Sequence, residues 1–167
     1  AQLGGGEMLE QLLLTVLMTS VPLIYAAIGE LVVERSGVLN LGVEGMMLMG
    51  AVAAFAGVYS TGSLTFGVIA GGVAGALTAG VFALFTLGLA TNQVATGLAL
   101  TIFGVGLSGL VGAPLVGHAI VGLPQLTIPI LSDIPYVGKI LFAQDAMLYL
   151  SVALVAIVAY FLKHTRA

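Results

Sequence analysis

The stretch VVERSGVLNLGVEGMMLMG (residues 32–50) sets Glu34, Arg35, Asn40 and Glu44 between two apolar runs. The whole chain carries only seven Asp or Glu and four Lys or Arg among its 167 residues. A sequence so sparing of charge needs a reason to gather three charges and an amide in one short stretch.

The surrounding composition says what solvent the chain is built for. It is 60% hydrophobic and 7% charged, with a mean hydropathy of +1.21. Soluble domains carry about 25% charged residues, and a globule of this size cannot hide so much apolar surface from water. Lipid is the matching solvent. The net charge of −3 and the lack of any basic cluster exclude nucleic acid as a partner. With no cysteine, disulfides, thiol catalysis and thiolate-bound metal are excluded as well. The start, AQLGGGEMLEQ, lacks the positive region of a signal peptide, so the first apolar run is expected to stay in the mature protein.

Five apolar segments follow, near 12–33, 46–60, 64–90, 93–112 and 146–162. A helix needs about 20 residues to cross some 30 Å of hydrocarbon. The second segment reaches that length only if it begins inside the polar stretch. Pro22 falls mid-span in the first and should kink it. Barrel strands would alternate apolar and polar residues, whereas these runs are continuously apolar. The expected fold is all-α: a polytopic membrane bundle of about five transmembrane helices with an interrupted or re-entrant segment. Residues 1–167 read as a single transmembrane domain. Within it, Pro114, Pro124, Pro129 and Pro135 mark 113–145 as an extracytoplasmic Pro-containing region.

Small residues and charges suggest how the helices sit. Gly72, Ala76 and Gly80 recur at four-residue spacing, as do Gly71, Gly75 and Ala79, and again Gly104, Ser108 and Gly112. Such rows let membrane helices approach closely. Cytoplasmic loops attract Lys and Arg, so Arg35, Lys163 and Arg166 should share the cytoplasmic side, which puts the N-terminus, with Glu7 and Glu10, outside. Lys139 is the exception, beside Asp133 and Asp145 in the external loop.

Asn40 and Glu44, four apart, would share a helix face. Gly37, Gly42 and Gly45 weaken regular helix there, and broken helices at membrane depth line cavities or pathways. A cytoplasmic loop interacting with headgroups is the plainer alternative. Serine-protease chemistry at GLSG (106–109) would need a histidine near Ser108, but His118 lies in the Pro-broken region and His164 at the helix end. No metal site is expected, since His118 has no partner at ligand spacing.

ERSGVLNLGVEGMMLMGA closely resembles the segment after the first conserved helix in permease subunits of bacterial ABC importers, best in the simple-sugar and nucleoside group. The ribose and branched-chain amino-acid permeases are more distant relatives. ATNQVATGLALTIFGVGLSG (90–109) resembles that group's NQV-TGLAL helix, and YFLKHTRA (160–167) resembles its helix end before a cytoplasmic coupling loop. The resemblance implies a multi-pass protein of the bacterial inner membrane that moves a simple sugar or nucleoside by alternating access. It implies a second permease subunit, an ABC ATPase subunit holding ATP and Mg, and an extracytoplasmic substrate-binding protein as partners. No cofactor is expected in this chain and no enzyme activity of its own; a G-x-x-x-x-G-K phosphate loop is lacking, since position 133 is Asp. By position, Asn40 and Glu44 match polar residues of the first motif and Asn92, Gln93 and Thr96 those of the second. Their amides and hydroxyls suit either passing substrate hydroxyls or hydrogen bonding between helices. Family members are about twice as long, so the chain looks like an N-terminal half. An ATP-independent channel or secondary transporter is the alternative function.

Overall fold

The structure, a computed structural model, describes residues 5–127 and 143–165. Its helices are α1 (Gly5–Arg35), α2 (Val43–Thr61), α3 (Leu64–Ala83), α4 (Gln93–Gly112) and α5 (Ala146–His164). All five are long and apolar enough to cross a membrane. The helix α2 reaches 19 residues because it starts inside the polar stretch, as its apolar core alone could not. α1 runs unbroken through Pro22. A π-helical turn, Leu84–Gly88, extends α3, and a 3-10 turn, Ala113–Leu115, follows α4. The strands β1 (Gln125–Thr127) and β2 (Ala143–Asp145) form a short antiparallel pair, with Gln125 opposite Asp145. That pair is the one strand structure among the described residues, and it lies in the Pro-containing region. Pro129, Asp133, Pro135, Lys139 and Arg166 lie outside the described residues.

The chain divides into two compact units, residues 1–32 with 123–167 and residues 33–122. In the first, the Tyr25 hydroxyl on α1 donates to the Met147 carbonyl in the first turn of α5 at 2.8 Å. Asp145 caps α5, its Oδ1 accepting from Leu148 N at 3.0 Å. This satisfies one of the four N–H groups that every helix start leaves open.

In the second unit the glycines decide the packing. α2 and α3 form a hairpin whose contact falls on Gly67 and Gly71: a Cβ on Gly71 would stand 2.9 Å from both Ala54 Cβ and Gly50 O, and one on Gly67 would run into Val58 Cγ2. α2 also lies against α4, more closely still. A Cβ on Gly104 would sit 2.5 Å from Gly45 Cα, and one on Gly45 would sit 2.6 Å from the Leu100 carbonyl. Between these contacts Met46, Phe82 and Leu100 form the buried apolar cluster, flanked by Val38 and Ala79.

The rows of small residues divide accordingly. Within the described chain the α3 row that meets α2 is the one through Gly67, Gly71 and Gly75, while Gly72 and Gly80 face open space. Gly104 is in tight backbone contact, and Gly112 has only Val52 Cγ2 near, at 3.5 Å. Ser108 is half-buried and donates to Val105 O at 3.2 Å.

These distances set a clear contrast. Gly104→Ala should lower stability by about 1–3 kcal/mol, the usual penalty for overpacking. Gly72→Ala should be neutral or stabilising by up to ~1 kcal/mol, because Ala is the better helix former. Thermal unfolding of the detergent-solubilised protein, followed by circular dichroism, measures both. Equal effects would mean that α2 and α4 do not touch through Gly104.

Candidate functional site

The polar stretch is a helix break, and its construction can be read bond by bond. α1 ends in a Schellman arrangement: Gly37 N donates to Glu34 O at 2.9 Å and Val38 N to Val33 O at 3.3 Å. This needs a left-handed residue at Gly37, whose φ is +84°. Ser36 adds its hydroxyl to Val33 O. The chain then runs extended or turned to Gly42, where α2 begins.

Asn40 starts that second helix from outside it. Its Oδ1 accepts the Gly42 N–H at 2.9 Å, an Asx turn, and its Nδ2 approaches Met46 Sδ at 3.6 Å. The side chain is buried, at 8% exposure. The expectation that Asn40 and Glu44 share a helix face is therefore corrected. Asn40 precedes α2, because the Gly37 stop and the Asx turn leave it between helices, while Glu44 lies in α2's first turn and is exposed. A carboxylate there is favoured by the positive end of the helix dipole.

α4 supplies the seat for this break. Gln93 Oε1 accepts from Leu39 N at 2.7 Å, and Thr101 Oγ1 donates to Leu41 O at 2.9 Å. Gly97, midway between them, leaves room for the backbone, since a Cβ there would be 2.8 Å from Leu41 N and 2.9 Å from Gly42 N. Gln93, Gly97 and Thr101 recur at four-residue spacing and form one face. They take up the N–H and the C=O that flank Asn40, groups that no helix satisfies. The two sequence motifs are thus the two sides of one contact.

The remaining candidates stand beside that seat. Asn92 is the N-cap of α4, its Oδ1 accepting from Ala95 N at 3.0 Å. Thr96 Oγ1 and Thr91 Oγ1 are 2.9 Å apart, and Thr91 donates to Phe85 O from both its N–H and its hydroxyl, at 3.1 and 2.8 Å. These bonds fold the α3–α4 connection back on itself around Ala90, whose φ is +51°. Gly97 and Thr101 were not singled out from sequence. The signal available was their four-residue spacing from Gln93 inside the second motif. Among the described residues no group of three or more His, Asp or Glu could hold a metal ion. The arrangement positions backbone and offers hydrogen bonds; it assembles no nucleophile with a base.

With that geometry in hand, residues 12–167 match the family described as the permease component of branched-chain amino acid transport systems. The chain belongs to this family and is a multi-pass membrane protein. It is 58% identical over 48 residues to a protein named as a glucose ABC transporter permease, TsgC13, from Haloferax volcanii. That match covers 28% of this chain and 15% of the relative's own length. No solved structure matches the chain.

The clamp makes a measurable claim. Thr101→Val should cost about 0.5–1.5 kcal/mol by removing the donor to the exposed Leu41 carbonyl, while Thr101→Ser should keep most of the stability. Unfolding midpoints of the two variants in one detergent decide it. A Val variant as stable as the Ser variant would mean that the 2.9 Å bond does not hold the break.

Proposed function

We propose that this chain is a membrane-spanning part of an ATP-binding-cassette importer and that the cargo is a simple sugar. The family match over residues 12–167 is the observation that carries the reading; the relative named for glucose favours a sugar over a nucleoside. The energy source is a separate ATPase with ATP and Mg. A second permease subunit completes the pathway, an extracytoplasmic binding protein delivers the sugar, and transport proceeds by alternating access in the inner membrane.

On this reading the five pathway candidates divide by their surroundings. Asn40, Asn92 and Gln93 spend side-chain acceptors on backbone N–H groups and shape the wall. Glu44 keeps an exposed carboxylate at the start of α2, which can accept from sugar hydroxyls. Thr96 shares its hydroxyl with Thr91.

The test is uptake in proteoliposomes holding the intact transporter with its ATPase and binding protein. Labelled glucose should accumulate only with ATP, and Glu44→Gln should lower uptake per folded complex about tenfold, a loss of ~1.4 kcal/mol. Uridine accumulating in place of glucose would move the cargo to the nucleosides. Accumulation without ATP would move the protein to the channels and secondary transporters.

Orientation has its own check, made easy by the lack of cysteine. With Arg35 and Lys163 inside, Gln2→Cys should react with a membrane-impermeant thiol reagent in intact cells and Thr165→Cys should not. The opposite labelling would reverse the topology.

A further inference from the structure

The far end of the α2–α4 contact carries a feature that the transport reading does not use. Near Gly45 and Gly104 the two backbones touch, but by Gly112 the nearest atom to a Cβ would be a methyl of Val52, at 3.5 Å. There the helices meet side chain against backbone, at ordinary van der Waals distance. Beside that contact lies an open crevice of about 240 Å³ lined by Ala51, Val52 and Phe55 of α2 and by Gly112, Leu115 and Val116 on the α4 side.

Its chemistry narrows the occupant. Every lining residue is apolar, so water would find none of the two to four polar partners it needs. Small-molecule pockets run to about 300–1,000 Å³, and this crevice is smaller, too narrow for a helix and suited to one slender apolar chain. One wall is the spanning helix α2 and the other the end of the α4 span with the turn that follows it, so the crevice opens where acyl chains are the solvent.

The upper rim is polar, and it is built. The 3-10 turn with Pro114 leads into a type II turn: Val116 has φ −62° and ψ 134°, Gly117 has φ +85°, and His118 N donates to Leu115 O at 3.2 Å. That turn brings His118 back onto Tyr59, ring centroids 4.8 Å apart, edge to face. Tyr59 stands one turn beyond Phe55, in the last turn of α2. From Tyr59 to Ala51 is eight residues, about 12 Å down the helix. An amphipathic ring pair at the helix ends above an apolar slot matches a lipid, wet at one end and dry along its length. The imidazole N–H and the phenol O–H are donors for a phosphate oxygen.

We infer that this crevice is a phospholipid site, with one acyl chain between Ala51, Phe55, Gly112 and Val116 and the headgroup phosphate at His118 and Tyr59. The site needs only the membrane setting and is independent of the cargo.

The experiment uses the unaltered chain in vesicles of phosphatidylethanolamine and phosphatidylglycerol doped with a phospholipid bearing a diazirine on one acyl chain. After irradiation, peptide mass spectrometry should find label concentrated on residues 51–55 and 112–116. Native mass spectrometry should find one phospholipid retained through detergent exchange. Gly112→Leu, which fills the slot, should lower retention about tenfold. Gly106→Leu, at a position facing open space, should leave retention unchanged, and His118→Ala should weaken it. Label spread evenly over the outward leucines of α3 and α5, or absent from the crevice because protein covers it, would overturn the site. So would equal retention in the Gly112 and Gly106 variants, and the labelling arm stands even if Gly112→Leu fails to fold.

Discussion

The backbone contact of α2 with α4 at Gly45 and Gly104 governs the second unit. No hydrophobic force draws helices together in lipid, so association rests on close van der Waals contact and on hydrogen bonds between helices. Here the first supplies the second. Because Gly45, Gly97 and Gly104 bring the backbones within reach, Gln93 and Thr101 can span to Leu39 and Leu41. A bulkier residue at any of the three would lift the helix break off α4 and part Leu39 and Leu41 from Gln93 and Thr101.

Thr101 shows how far this arrangement departs from the helical habit. Thr15, Thr19, Thr78 and Thr86 all turn their hydroxyls back onto carbonyls of their own helix, the usual refuge of a hydroxyl in lipid. Thr101 reaches across sixty residues of sequence instead. The difference is that Leu41, in the break, has a carbonyl that no helix turn can serve.

Much of this was legible in the residues. Four of the spans were there in apolar length and α2 once it borrowed from the polar stretch, and the break in the charges and glycines of residues 34–45. Four things were not. The rows Gly71–Gly75–Ala79 and Gly72–Ala76–Gly80 lie side by side on one helix and are equally small, so spacing cannot say which meets α2. Asn40 and Glu44 stand four apart, as on a helix, and only the Asx turn that starts α2 after Asn40 separates them. The strand pair at β1 and β2 escaped notice because three residues carry no readable period. The seat on α4 was hidden for a different reason: it pairs two motifs some fifty residues apart, each of which reads as complete by itself.

The seat also orders the making of the protein. A chain inserted from its N-terminus lays down α1 and then the break before α4 exists. The α2–α3 hairpin can close at once across its short turn, as its partners are neighbours in sequence. The peptide groups of Leu39 and Leu41 must wait, hydrated or borrowed by insertion machinery, until Gln93 and Thr101 arrive. The most polar stretch of the molecule is thus among the last of its second unit to set, and its locking marks the moment when three helices stop being separate insertions and become one body.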